Sequence, residues 1–338
     1  MKKNLFLAAL SFSAIGFVSC SDDDDSENNN GGSNDELALF TSSNTSGMIS
    51  YTDLMVASPV SRNFSIGSTD ADGIYYDDEK DEVIVASRTN NRLEAYGNFR
   101  NTLSATGTSL TMTASSTTGD FTNAREISVD GNRVVVVQDQ NDANGLTNKL
   151  VVYQRTTTGF TLEKSFTVPF KLWGIDIEDG NLFAVEDLSN RIAVFNNIFS
   201  KPAGNLAPDK IVAIEGLVRT HGIHHEDNTM VLTDVGSATS DVDGGIVVIE
   251  NFNSVFSSTA AGGTIPLISQ KRIYGQNSTL GNPVDVAFDE DAKRIYIAER
   301  LNAGGRVLSF AYPTAAQSDA TPLTARLEPG VTGIYLRD

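Results

Sequence analysis

The 338-residue chain has one cysteine, one tryptophan and three histidines. A single thiol closes no internal disulfide and builds no thiolate metal cage. Basic residues are scarce as well: 25 Lys and Arg stand against 43 Asp and Glu, a formal net charge of −18. Without a basic surface to release counterions, nucleic acid is excluded as a partner. No Gly-x-Ser-x-Gly element occurs, so an α/β-hydrolase elbow is absent, and so is a phosphate-cradling G-x-x-x-x-G-K-[ST] loop. Beyond residue 18 no stretch approaches eighteen apolar residues, so nothing later in the chain reads as a membrane-spanning helix. What the chain does have is 40% hydrophobic residues, enough for a packed core.

The first residues carry an address. Lys2 and Lys3 precede fourteen almost wholly apolar or small residues, 5–18, which end at Ser19-Cys20. Such a run is short for a ~30 Å hydrocarbon core and fits the h-region of a signal peptide. Phe17-Val18-Ser19-Cys20 resembles a bacterial lipobox, with Phe17 where leucine is usual. The resemblance implies a signal peptide over 1–19 and a lipidated Cys20 as the membrane anchor. Two or three acyl chains at ~0.8 kcal/mol per buried methylene would hold it permanently. Residues 21–36 read SDDDDSENNNGGSNDE, with seven acids and no aliphatic or aromatic residue, which predicts a solvated tether over 20–35. Cys-Ser followed by an acidic run resembles the surface-export signal of Bacteroidetes lipoproteins, implying an outer-membrane address facing outward.

The remainder, 36–338, is a repeat. Five segments align, starting at Asp72, Arg125, Trp173, His221 and Val284. Each reads as a short apolar strand, a tight acidic or glycine turn, a second strand, a longer loop and a third strand. Asp130-Gly131 and Asp179-Gly180 are hairpin signals, because a type I′ turn needs positive φ at its centre. Weaker fourth strands follow at 110–113, 162–168, 210–214, 270–274 and 325–327. Four antiparallel strands per unit, repeated radially, predict an all-β fold, a β-propeller. The equivalent opening positions are Gly73, Glu126, Gly174, Gly222 and Asp285, at intervals of 53, 48, 48 and 63 residues. Gly333 lies 48 residues further on and opens a strand that the chain end cuts short, while 36–41, 47–52 and 62–66 match a unit without its first strand. One blade assembled from both termini brings the count to six and leaves no open sheet edge.

The blade-opening Gly-Ile-x-x-Asp/Glu pattern, clearest at Gly73, Gly174 and Gly222, resembles the NHL-repeat type of six-bladed propeller. That resemblance implies a fold and hardly any function.

Alternating strand directions put the loop entering each first strand and the end of each second strand on one face, the top. The residues before the opening positions, Asp72, Arg125, Trp173, His221, Val284 and Thr332, are expected around the mouth of the central channel. Asn123 and Asn282 lie in the same loops, and the second strands end at Arg88, Asp139, Glu186-Asp187, Asp234 and Glu299-Arg300. The candidate ligand-binding set is Asp72, Arg88, Arg125, Trp173, Glu186, His221, Asn282 and Arg300. The alternative is that these polar groups only satisfy one another. Trp173 reads either as a plate for a sugar or flat ring, or as a core residue wedged between blades.

Two top loops, from Gln138 and from Asp234, are longer than the rest, and long loops on a rigid ring often recognise partners. Their acids and amides supply hard oxygen ligands of the kind Ca²⁺ uses, although neither follows the spaced EF-hand pattern. His221, His224 and His225 do not form a zinc site on a strand: His224 and His225 point to opposite sides, and His221 and His225 lie ~13 Å apart. His221 alone is a candidate general base.

Three functions fit this reading. The first is a non-catalytic propeller, with no cofactor, that binds a glycan, peptide or protein partner on its top face. The second resembles the gluconolactonase family, with Asp72, Asn123, Glu186 and Asn282 as candidate ligands of a divalent ion. The third resembles quinoprotein sugar dehydrogenases, with His221 as base and Arg125 beside the cofactor.

Overall fold

The computed structural model describes residues 36–237 and 239–338. The signal peptide, Cys20 and the acidic tether expected before Glu36 lie outside the described residues. Six antiparallel sheets form the blades of a β-propeller. Blade 1 comprises Ala71–Asp77, Glu82–Ser87, Arg92–Gly97 and Thr111–Ser115, counted from the innermost strand outward. Blade 2 comprises Ala124–Asp130, Arg133–Gln138, Asn148–Arg155 and Phe160–Val168. Blade 3 comprises Leu172–Glu178, Asn181–Glu186, Arg191–Phe195 and Lys210–Ile214. Blade 4 comprises Thr220–Glu226, Thr229–Asp234, Gly245–Ile249 and Lys271–Tyr274. Blade 5 comprises Pro283–Asp289, Arg294–Glu299, Arg306–Ala311 and Thr324–Leu327.

Blade 6 closes the ring. The last strand, Val331–Arg337, lies innermost and pairs antiparallel with Ala38–Ser43, which continues to Met48–Asp53 and Ser61–Ser65. The terminal sheet expected from the sequence is therefore present, with its strands displaced by one or two residues.

The second strands are the most apolar, as expected for strands covered on both faces. Val83, Val134, Val136, Leu182, Ala184, Val231, Leu232, Ile295 and Ile297 are all buried, and they pack between neighbouring sheets. Every innermost strand also carries one residue too many for its partner. The register slips between Asp72 and Ile74, Ala124 and Ile127, Leu172 and Ile175, Thr220 and Ile223, Pro283 and Asp285, and opposite Ser42–Ser43. Such a bulge bends the strand and re-aims its side chains. Here the glycine of the blade-opening motif has a steric cause: a Cβ on Gly174 would lie 2.2 Å from the His221 carbonyl oxygen, and one on Gly73 2.6 Å from the Ile127 nitrogen. Inner strands of adjacent blades touch backbone to backbone at this level.

Neighbouring blades are also stitched at the rim, a feature not expected from the sequence. The connection between the third and fourth strands of one blade reaches back and adds a short parallel strand to the outer edge of the blade before it. Gly204–Asn205 pairs with Phe160–Val168, Thr264–Ile265 with Lys210–Ile214, and Gln317–Ser318 with Lys271–Tyr274. A single parallel bridge, Ser65 to Ser109, does the same between blades 6 and 1. In blade 2 that connection is a tight hairpin at 156–159, which adds no strand to blade 1 although Gly159 lies against the Ser115 carbonyl there. Among the described residues, no helix is long and apolar enough to cross a membrane.

Candidate functional site

A six-fold hydrogen bond builds the top of the channel. In each blade the residue after the second strand donates its backbone N–H to the carbonyl of a residue in the loop entering the first strand. The pairs are Arg88 to Asp70 (2.8 Å), Asp139 to Asn123 (3.2 Å), Asp187 to Lys171 (2.9 Å), Val235 to Arg219 (2.7 Å), Arg300 to Asn282 (3.0 Å) and Asn44 to Gly330 (2.8 Å). Two residues after each acceptor stand Asp72, Arg125, Trp173, His221, Val284 and Thr332, so the mouth is framed by three positions from every blade.

Four of the innermost six contact one another in blade order. Arg125 Nη1 lies 3.9 Å from Asp72 Oδ2. The Arg125 guanidinium sits over the Trp173 ring, 4.1 Å from its centroid. On the other face of the indole, His221 stacks at 3.7 Å and an interplanar angle of 3°. Both faces of Trp173 are therefore covered and the residue is buried. It is the middle of a stack between blades, which fits the wedged alternative and leaves no open face for a sugar. Val284 and Thr332 are buried, and Thr332 Oγ1 donates to the Ala71 carbonyl at 2.8 Å.

Asp187 anchors the far end of the stack. It accepts from His221 Nε2 at 3.0 Å, from Arg219 Nε at 2.7 Å and from Lys171 Nζ at 2.8 Å. Burial alone would raise this carboxyl, but the bonds from His221 and Arg219, the His221 charge and the bond from Lys171 outweigh it and hold Asp187 well below the usual carboxylate range. His221 moves the other way. Burial pushes the imidazole down to about 4 against the pull of Asp187, so at neutral pH the ring is uncharged and donates from Nε2. Nδ1 is then a bare acceptor, and it has no partner in the chain. A ring stacked on one face and only 2% exposed is poorly placed to act as a general base.

Asp139 accepts from Arg125 Nε and Nη2 at 3.2 and 3.1 Å through one oxygen. Asp72 lies near Arg88 (3.7 Å), and Arg88 also donates to Asn123 Oδ1 at 2.9 Å. Burial raises Asp72 to about 6 despite Arg125, Arg88 and Arg300 nearby. A layering results. Arg88, Arg125, Lys171 and Arg219 are 14–25% exposed, whereas the carboxylates beneath them, Asp72, Asp139 and Asp187, are 0–3% exposed. Solvent meets cations there, on a molecule whose net charge is strongly negative.

Of the candidate set, Asp72, Arg88, Arg125, Trp173, His221, Asn282 and Arg300 take places in this frame. Glu186 does not. Its side chain pairs with Arg191 on its own blade, and the next residue, Asp187, is the one that enters the mouth. Lys171 and Arg219 were missed. Both lie two residues before an expected mouth residue, and the period-2 alternation of a strand would have put them on the same side. Asp234 and Glu299 are taken up by the backbone: Asp234 accepts from the amides of Val218, Arg219 and Gly236, and Glu299 from those of Gly281, Asn282, Leu301 and Asn302.

The oxygen set expected for a divalent ion does not converge. Asp72 faces Arg88 and Arg125, Asn123 is spent on Arg88 and the Asp139 carbonyl, and Glu186 lies on Arg191. A metal there would have to displace two guanidinium groups. Among the described residues, no group of three or more His, Cys, Asp or Glu side chains is placed to hold an ion. The two long loops are held locally: Asn141 caps a single turn at Asp142–Asn144, and the Asp241 carbonyl accepts from Asn302 Nδ2 of the next blade.

No family model and no curated protein matches the chain. Solved structures do. A chain of the nidogen/laminin complex superposes with a TM-score of 0.58 at 13% identity, covering 89% of this chain and 97% of that one. A protein of unknown function from Bacteroides caccae gives 0.58 at 7% identity, covering 89% and 98%. Hydrazine synthase of Kuenenia stuttgartiensis gives 0.52 at 12% identity, covering 80% and 72%. At such identities the likeness is one of fold.

Proposed function

We propose that this chain is an outer-membrane lipoprotein, anchored through Cys20 and facing outward, whose NHL-type propeller binds a ligand on its top face without catalysing a reaction. The address rests on the Lys2-Lys3, apolar-run, Cys20 and acidic-tether order of the sequence. The binding reading rests on one structural observation. Around the mouth, Asp72 Oδ2, Asp139 Oδ1, Asn282 Oδ1, His221 Nδ1 and Arg88 Nε are buried atoms with no hydrogen-bond partner in the chain. Buried polar atoms are ordinarily paired, and each one left alone costs about 1–3 kcal/mol. Several of them set at the same end of one six-bladed frame are what a polar binding site supplies before its ligand arrives.

Trp173 offers a direct test. It is the sole tryptophan, and it lies between Arg125 and His221. A ligand seated at the mouth is expected to change its fluorescence, and Arg125→Met is expected to weaken binding. A ligand found by glycan or peptide array that leaves the fluorescence untouched and binds Arg125→Met normally places the site elsewhere. Labelling with a palmitate analogue, lost in Cys20→Ser, tests the anchor, and protease shaving of intact cells tests the outward orientation.

A further inference from the structure

We infer that the ligand taken by the channel mouth is a small acidic sugar, its carboxylate held by Arg300 and its hydroxyls donated to carboxylate and amide oxygens of the mouth that have no hydrogen-bond partner in the chain. This rests on the top-face reading above and names the ligand class.

The charge argument starts from the five cations of the mouth. Four are neutralised within the frame: Arg88 by Asp70 and Asp72, Arg125 by Asp139 and Asp72, and Lys171 and Arg219 by Asp187. Arg300 is the fifth. Among the described residues it forms no ion pair within 4 Å. Its Nη2 donates to the amide oxygen of Asn44 at 2.6 Å, and Asn44 in turn donates to the Gly330 carbonyl. Burial works against its charge most, Asp72 and Asp70 favour it from a distance, and Arg125 and Arg88 repel it. A half-buried guanidinium that shares Asp72 and Asp70 with two other cations, and has no carboxylate within 4 Å of its own, is matched by a carboxylate, which it can grip through two parallel N–H···O bonds.

The hydrogen-bond inventory adds the second half. Asp72 Oδ2, Asp139 Oδ1, Asn282 Oδ1 and His221 Nδ1 accept hydrogen bonds and have none. A simple inorganic oxyanion has few or no hydrogens to give them at neutral pH. A polyol has one on each hydroxyl. An oxyanion carrying several hydroxyls satisfies both halves, and an acidic monosaccharide is the compact form of that chemistry. The covered faces of Trp173 fit the same reading, because recognition here has to come from charge and hydrogen bonds rather than from stacking on an aromatic plate. The acidic remainder of the molecule repels every anion, so an anion held here has to be held by this set of bonds.

The test is calorimetric and fluorescence titration of the protein with glucuronate, galacturonate, glucose and inorganic phosphate, repeated on Arg300→Gln and Arg300→Lys. The expected result is saturable binding of at least one uronate, with glucose and phosphate each weaker by roughly tenfold or more. Arg300→Gln is expected to bring the uronate down to the level of glucose, with Arg300→Lys between, and to lower the melting temperature only by what the lost hydrogen bond to Asn44 contributes. Glucose binding as tightly as the uronates, with Arg300→Gln neutral, overturns the inference while leaving a top-face site. Phosphate binding as tightly as the uronates overturns the hydroxyl half, and with it the assignment to a sugar. Failure of all four probes also overturns it, and the top-face reading is then judged separately by the array and the Arg125→Met variant.

Discussion

The neutral, buried state of His221 makes a sharp forecast about acid. Its folded pKa of about 4 lies below the ordinary value of 6.5, so the unfolded chain binds a proton there before the folded one does. A base lowered in this way contributes stability that is complete above pH 6.5 and is lost as pH falls toward 4. Between pH 7.5 and 4.5 the loss from this one group comes to about 2.5 kcal/mol by linkage. His221→Gln keeps a polar side chain beside Asp187 and removes the titration. Urea unfolding of both proteins at the two pH values, followed by Trp173 fluorescence, isolates the term. The stability difference between native protein and variant should be larger at pH 7.5 than at 4.5 by that amount. Carboxylates such as Asp72 titrate in both proteins and cancel in the subtraction. A difference that is the same at both pH values would refute the claim that His221 is held uncharged in the stack.

Other outcomes follow from the same geometry. Removing Val331–Asp338 deletes the innermost strand of blade 6, including the buried Val331, Ile334 and Leu336. At about 1.5–3 kcal/mol per side chain the loss approaches the whole stability of a domain, so the truncated chain should show no cooperative melt at 25 °C and above. Gly174→Ala forces a Cβ against the His221 carbonyl, and should cost about 3 kcal/mol or more by chemical denaturation while shifting the Trp173 emission. Asp187→Asn takes the counter-ion from Arg219 and leaves Lys171 only the longer pair with Asp139 at 3.8 Å. It should cost about 3 kcal/mol, and the cost should shrink little between 0.05 and 0.5 M salt because Asp187 is buried.

Much of the ring was legible because each blade repeats the same physical demands. The glycines at 73, 174 and 222 mark a level where neighbouring backbones touch, and a Cβ on any of them would lie within 2.9 Å of the next blade, whereas Glu126 and Asp285 fill the equivalent places in blades 2 and 5. The strand at 331–337 was legible because it repeats the blade-opening pattern, and 36–66 matches a unit that lacks that strand. The fourth strands were placed at their correct positions with ends off by a residue or two, which is where hydrogen bonding rather than side-chain pattern decides. Within the site, Asp72, Arg125, Trp173 and His221 could be put side by side from the repeat alone. The choice between Glu186 and Asp187 could not. It depends on which side of the strand end the bulge turns, and one residue reverses the direction of the side chain. Nor could the sequence say that Trp173 spends both faces on Arg125 and His221, since that follows from a ring-closing separation between blades.

The short strands at 204–205, 264–265 and 317–318 have a practical consequence for anyone who wishes to cut or lengthen this chain. Each belongs to one blade by connectivity and to its predecessor by hydrogen bonding, so an insertion there loosens two units at once. The 156–159 hairpin lends no strand to another sheet and meets blade 1 only by contacts at its base, such as Arg155 on Glu82. A reporter, an epitope or a pair of new termini is tolerated there first, and the same graft moved to 264–265 should loosen the outer edge of blade 3 together with blade 4.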